Sequence, residues 1–540
     1  MEIAGKRIYW WNNWMAASLL LLFFIAAPLL SIFVNLFSAP GSSWSHLTEN
    51  LLVGYLQNTL LLLAGVALST FILGVSLAWI VTNYEFPFRK HFEWLLILPL
   101  GFPGYIMAYT YTGLLDYTGP LQTFLRNQFD IQVVGSIVDI MNLPGAVFIL
   151  SITLFPYVYL LSRASFLQQS RTFQDAAALL GSSNWYSFTK VALPMARPAI
   201  VGGIALAAME VLNDYGTVKY FGVGTFTTGI FRSWFSMGDV TTAIYLAAIL
   251  MLLVFSILYL EVLQRGKRRF SPVNFINKPT TRQQLSKSKT WLLTATCFLV
   301  FLGSFFIPFL QILHWVWISY ESSLNSGFYL LVLRSFGLAA GSGLAVALIA
   351  VVLLYSLRLS SFSWFRSLTK IGTIGYAIPG AVIAIGIMIP VLSLDRWVFA
   401  DTGQLMLSGS VSVLLFAYVV RFMAVGYHPL DAGFQKSGIQ VNEASRLLGH
   451  NSWKTLLKIE LPLVRASFFS AILLVFVDVL KELPLTLILR PFNYHTLATK
   501  AFDMATNEMI AESANSALII ILTGIFPIIF LNRVIRKANM

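Results

Sequence analysis

Four carboxylates stand out in the 540-residue sequence. Glu210 and Asp214 are four residues apart in GIALAAMEVLNDYGTVKYFGVGTFTTGIF, and Asp478 and Glu482 are four apart in AILLVFVDVLKELPLTLILRPFNYHTLATKAF. The second pair lies 268 positions after the first. Four-residue spacing puts both acids of a pair on one face of a helix. An acid in mid-span costs about 2.5–3.5 kcal/mol on insertion scales, so it usually faces a bundle interior or a watery route. Carboxylate oxygens are hard donors that suit hard cations. The spacing therefore predicts two negative layers roughly 5.4 Å apart, one helical turn, past which a multivalent cation moves by weak successive contacts. The plainer reading pairs these acids with Lys219 and Lys481. Tyr109, with Tyr105 and Tyr111 near it, would add phenolic oxygens to the same route. The six histidines are scattered with no i, i+4 pair, and His495 is the one placed to meet an arriving solute. With Cys297 as the single cysteine, no disulfide within the chain and no stable metal site is expected. The sequence contains no G-x-x-x-x-G-K-[ST], no H-E-x-x-H and no G-x-S-x-G. No catalytic residue and no bound cofactor is expected.

The elements that position these acids must be membrane helices. Hydrophobic residues make up 57% of the chain and charged residues 11%, with mean hydropathy +0.75. A soluble chain carries about 25% charge, so this one cannot coat a water-facing surface. Disordered regulators, secreted disulfide scaffolds and nucleic-acid binders are excluded on the same grounds. Crossing the hydrocarbon takes about 20 apolar residues. Twelve runs qualify, near 14–37, 55–83, 93–113, 144–163, 198–215, 240–262, 291–313, 328–356, 371–393, 410–427, 466–488 and 512–532. They are continuous and Leu-rich, so the expected fold is all-α and polytopic. The net charge of +13 is read by location. With both termini placed in the cytoplasm, 28 of the 36 Lys and Arg, Arg421 among them, fall on the inner side. Lys6 and Arg7 could head a cleaved signal, but the run after them is longer than a signal peptide's apolar core.

The chain divides into two halves of six spans: residues 1–263, a basic linker at 264–290, and residues 291–540. The linker holds eight Lys or Arg and no acid. It reads as a solvated cytoplasmic segment near anionic lipid headgroups. The halves are parallel repeats. DAAALLGSSNWYSFTKVALP at 175–194 matches EASRLLGHNSWKTLLKIELP at 443–462, and Pro103–Gly104 matches Pro379–Gly380. Each repeated loop, at 171–197 and 439–465, falls between spans four and five on the basic side. A short helix carries an acid and small side chains: Asp175, Ala176 and Ala177, then Glu443 and Ala444. Small residues let another surface approach the backbone. Gly181 and Gly449 suit a left-handed helix end. An amphipathic segment follows, anchored by Trp185 or Trp453, and Leu193–Pro194 or Leu461–Pro462 is expected to stop it before the next span. Two copies at equal places make a docking device that passes push and pull between a partner and the membrane helices.

The pattern E-A-A-x-x-L-G followed by L-P resembles the coupling loop of permeases of binding-protein-dependent ABC importers. Asp175 replaces the Glu in the first copy, and Ser445 replaces the second Ala in the second. The resemblance covers the whole chain as two fused permease halves. It implies that each loop docks an ATPase subunit, hence two ATPase copies that use ATP. It also implies a periplasmic substrate-binding protein, and an inner-membrane location in bacteria. The segments around the acids further resemble fused iron(III) permeases, which implies ferric iron as cargo. Fused thiamine permeases share the architecture, and polyamine, sulfate and phosphonate permeases share the loops. A twelve-span secondary transporter would need neither loop.

Overall fold

The computed structural model describes residues 12–129, 139–169, 184–265, 282–323, 325–360, 362–399 and 406–538. The protein is all-α. Among the described residues, ten helices are long and apolar enough to cross a membrane, and two bent helix pairs raise the number to as many as twelve. In the first half the main helices are α1 (Asn13–Asn35), α2 (Leu52–Asn83), α3 (Gly104–Leu115), α4 (Leu143–Gln168), α5 (Leu193–Asn213), α6 (Gly216–Tyr220) and α7 (Val240–Arg265). The second half begins with α8 (Lys287–Phe301), α9 (Ile307–Ser323), α10 (Ser326–Leu359), α11 (Gly380–Val398) and α12 (Val411–Ser437). It continues through α13 (Gln440–Leu447), α14 (Ser452–Thr455), α15 (Arg465–Lys481), α16 (Pro484–Leu489), α17 (Leu497–Thr506) and α18 (Ile510–Ala538).

Prolines shape these helices in two ways. Pro103 and Pro379 lie just ahead of α3 and α11 in extended conformation, so each third span is broken there. Pro194, Pro308 and Pro462 each follow a π-helical stretch, at Ser187–Ala192, Leu302–Phe306 and Leu456–Glu460. A proline ring clashes with the carbonyl four residues back, and in all three cases that carbonyl belongs to the widened π turn, which gives it room. Pro194 therefore does not stop its segment, contrary to expectation: one helical span runs from Ser187 to Asn213. In the second half the bend comes after Pro462, at Val464, and turns the chain by 76°.

The chain forms two compact units, and neither is one half of the sequence. The first comprises Met1–Trp44, Ile230–Ala248 and Leu324–Lys500. In it α10, α12 and α15 pack on one another, and α1 lies against α11 and α10. That approach is close: a Cβ at Gly386 would fall 2.4 Å from the Pro28 carbonyl oxygen. Asp239 fastens the far end of this unit. Its carboxylate accepts from Ser43 N at 2.9 Å, Thr242 N at 2.9 Å, Thr241 Oγ1 at 2.9 Å and Thr242 Oγ1 at 2.8 Å. Trp44 stacks on Tyr245, whose hydroxyl donates to the Ser38 carbonyl at 2.9 Å. The second unit comprises Ser45–Gly229, Ile249–Ser323 and Ala501–Met540. Here α2, α4 and α5 pack together around Ala78, Phe155, Val158 and Ala196. The second half's α18 runs beside α9 and covers Leu98–Gly101 of the first half. Each unit is thus built from both halves.

Two charge assignments change. Arg421, counted above with the basic inner side, is buried within α12. The described end of the linker, from Arg282 on, is tied to the first half rather than only solvated. Gln283–Gln284 pairs in parallel with Tyr84–Glu85. Arg282 lies 3.9 Å from Glu85, in a cluster where Arg89 meets Glu85 at 3.2 Å and Arg163 meets Glu93 at 3.0 Å.

Candidate functional site

The second repeated loop is a two-limbed elbow. Its first limb is α13, and Gly449 follows at φ +82° with nothing within 4 Å of where a Cβ would stand. This is the left-handed helix end that the glycine suggests. The chain reverses there, and the Asn451 side chain caps Lys454 N at 2.8 Å to start α14. Ser445 Oγ and Thr455 Oγ1, 2.8 Å apart and buried, join the two limbs. The departure from the second Ala of the family pattern thus supplies a hydrogen bond across the elbow. Below it, Glu460 is buried and accepts from Asn442 Nδ2 at 2.6 Å and from Arg358 at 3.2 Å. Arg358, near the end of α10, also donates to the Gly438 carbonyl at 3.0 Å and to Ser437 Oγ at 2.8 Å. Tyr355 OH holds the Ser452 carbonyl at 2.7 Å, and Trp14 packs on Tyr355 and Trp453. The elbow is therefore bolted to a membrane helix, while Leu447 and Leu448 stand 88% and 79% exposed on its outer side. Glu443 falls in the first turn of α13 and Leu461–Pro462 directly after the π stretch. In the first loop, Asp175, Ala176, Ala177 and Gly181 lie outside the described residues. Leu193 and Pro194 open α5.

The acids do not lie pairwise on one helix face. α5 ends at Asn213 and α15 at Lys481, so Asp214 and Glu482 fall in the breaks, with extended backbone. The expected face fails because each second acid leaves its own helix and accepts hydrogen bonds from the first turn of the next short one. Asp214 accepts from Thr217 Oγ1 at 2.8 Å and Val218 N at 3.1 Å at the start of α6. Glu482 accepts from Leu485 N at 3.2 Å at the start of α16. Its other oxygen accepts from Arg421 Nε at 3.0 Å, and Arg421 also donates to the Ile378 carbonyl at 2.6 Å. Sequence reading missed Arg421 as a partner because 61 residues separate it from Glu482. The available signal was an arginine inside an otherwise apolar span. In both halves the break in span three abuts the break in span five. A Cβ at Gly104 would lie 3.3 Å from Asp214 Oδ1, and one at Gly380 would lie 2.6 Å from Glu482 Oε1.

The remaining candidates are placed separately. Glu210 and Asp478 are half-buried one turn before the breaks. Asp478 is 4.0 Å from Lys481 Nζ, the pairing that the plainer reading named. Tyr109 is fully buried in α3 with its ring edge toward Tyr220, the centroids 6.4 Å apart. His495 Nδ1 accepts from Arg490 at 2.7 Å, which engages that nitrogen.

An all-α chain with membrane-length apolar helices and an exposed elbow beside a broken span has the build of an integral-membrane permease. Residues 70–270 match the family described as binding-protein-dependent transport system inner membrane component. Over 485 residues the chain is 25% identical to the Fe(3+)-transport system permease protein FbpB 2 of Haemophilus influenzae, covering 88% of this chain and 89% of that protein. It is 21% identical over 512 residues to the putative ferric transport system permease protein FbpB 1 of the same organism, covering 88% and 78%. The sulfate transport system permease protein CysT of Escherichia coli is 29% identical over 177 residues, 33% of this chain and 61% of that protein.

Proposed function

We propose that the protein is the translocating subunit of an ATP-driven importer of ferric iron. A soluble binding protein delivers the metal on one face, and two ATPase copies dock on the two repeated loops at the other. The observation that carries the cargo assignment is the extent of likeness. Relatives named for ferric transport align across both halves, 88% of the chain, whereas the sulfate permease aligns over 33%. The elbow supports the ATPase partners: its outer leucines offer apolar contact, and its inner side passes force through Arg358 and Tyr355 to α10. The basic-residue distribution supports a cytoplasmic position for both repeated loops and both termini, in a bacterial inner membrane. The subunit itself carries no hydrolytic chemistry. Asp214 and Glu482 set the geometry of the breaks, while half-buried Glu210 and Asp478, one turn earlier and each within its own unit, supply weak oxygen contacts to the cargo.

The test is reconstitution in proteoliposomes with both partners. Ferric-loaded binding protein is expected to stimulate ATP hydrolysis and iron uptake. Stimulation by sulfate-loaded or thiamine-loaded binding protein, with none by the ferric form, would transfer the assignment to that solute.

A further inference from the structure

The two repeated loops are fastened to their membrane helices by different chemistry. Their second limbs correspond in sequence and in backbone: a π-helical stretch ends at Ala192 in one and at Glu460 in the other, 268 positions on. The helices that brace them correspond as well, α2 with α10, at an offset of 276. Thr59 and Ser335 mark that register. Each side-chain oxygen accepts from the first residue of a helix beyond the broken fifth span, Phe226 N at 3.4 Å and Leu497 N at 2.9 Å.

The first limb meets its helix through apolar rings. Trp79 of α2 packs on Phe166 and Phe188, with ring centroids 5.3 and 4.9 Å away. Thr82 Oγ1 donates to the Ala78 carbonyl of its own helix at 2.7 Å, and Ala192 is buried. A neutral hydrogen bond from Gln169 Nε2 to the Ala192 carbonyl, at 3.0 Å, ties this limb to the end of α4. In the second half Tyr355 stands for Trp79, Arg358 for Thr82, Phe434 for Phe166 and Glu460 for Ala192. Tyr355 OH donates to the Ser452 carbonyl at 2.7 Å. The Arg358 guanidinium lies over the Phe434 ring at 4.9 Å and meets wholly buried Glu460 at 3.2 Å. Apolar contact is non-directional, whereas charge-assisted hydrogen bonds fix both distance and direction.

Stability does not account for this pair. A buried ion pair contributes little beyond what apolar groups of similar volume would, and Glu460 Oε2 is buried with no hydrogen bond among the described residues. The first loop forms the same π stretch with an alanine in the acid's place. What the pair adds is a fixed angle between limb and helix.

We propose that Glu460 and Arg358 are positioning residues that make the two docking loops mechanically unequal, the second moving with α10 as one body while the limb of the first can shift along α2. The inference rests on the importer reading above. It assigns the larger share of the leverage on the membrane helices to the second loop.

The experiment gives the second loop the residues that the first carries, Glu460→Ala together with Arg358→Thr, in the full chain with its ATPase. Removing both members leaves no stranded buried charge. In proteoliposomes with ferric-loaded binding protein, the double variant is expected to retain its ATPase but to move at least roughly fivefold less iron per ATP hydrolysed. Glu460→Gln, which can still accept from Asn442 and Arg358, should lie nearer the parent. A second measurement needs no binding protein. Backbone amides of 452–460 should exchange hydrogen about tenfold more slowly than those of 184–192 in the parent, and the difference should vanish in the double variant. An unchanged ratio of iron to ATP overturns the proposal. Loss of the ATPase from the double variant overturns it too, because the pair would then serve the fold of the loop. Equal exchange of the two segments in the parent does the same. A parent that gives no response to the binding protein removes the importer reading, while the exchange comparison still decides whether the limbs are unequal.

Discussion

Glu482 and Asp214 occupy corresponding breaks yet are held differently. Glu482 has a guanidinium partner, while Asp214 relies on a threonine hydroxyl and a backbone N–H. Removing one member of a buried pair strands the other, at a cost on the order of 3–5 kcal/mol. Arg421→Met should therefore lower the melting temperature in detergent markedly, and the double variant with Glu482→Leu should recover much of the loss. Equal melting of the single variant and the parent would show that the pair contributes nothing. Asp239, just outside the span that starts at Val240, gives a pH prediction. Burial raises its pKa, but the hydrogen bonds from Thr242, Ser43 and Thr241 outweigh burial and bring it from the ordinary 3.8 to about 2. A depressed carboxylate stabilises the folded state in full above its unfolded value and loses that contribution as pH falls toward the folded one. Melting between pH 7 and 4 should be insensitive to this group, and melting from pH 4 to 2 should decline more steeply in the parent than in Asp239→Asn.

The elbow works because a reversal, a cross-limb hydrogen bond and an arginine clamp fix its shape while its leucines remain outside. Gly449 resists exchange through its backbone. Its surroundings are empty, so the obstacle is the left-handed backbone alone, which costs other residues roughly 1–2 kcal/mol and β-branched ones more. Gly449→Val should insert into the membrane normally but retain less ATPase on co-purification. Gly449→Asn, which tolerates this conformation better, should retain more. Equal ATPase recovery with all three residues would separate the reversal from docking.

Across the whole molecule, helices are exchanged between halves: α1 packs on α11 and α10, and α18 covers Leu98–Gly101. The halves should therefore remain together without a covalent link. Co-expressed fragments divided within 266–281 are expected to co-purify as one complex, and elution as two separate species would contradict this. The proposed orientation rests on charge alone. Single cysteines at exposed Gly409 and Ser288, in a chain with Cys297 replaced, should label from opposite faces, Gly409 from outside. Reaction of both from one side would overturn the two-sided assignment.

Sequence alone determined the solvent, because 57% apolar residues leave no soluble surface, and it determined the helical class and the approximate spans, because continuous apolar runs must satisfy their own backbone in lipid. It also located the short helix of the second repeated loop and the left-handed Gly449, since repetition and a glycine at a helix end are local signals. Other features waited for the tertiary structure. The acids at Asp214 and Glu482 looked helical by spacing, yet α5 and α15 end one residue before them and both carboxylates accept from the next short helix. Arg421 looked like an inner-side charge, yet it is the partner of Glu482. Pro194 looked like a stop, yet the preceding π turn lets the helix pass. The composition of each compact unit from both halves had no sequence signal. Periodicity and spacing report what a segment does along its own axis, whereas an ion pair across 61 residues or an exchanged helix depends on which surfaces meet after the chain has folded.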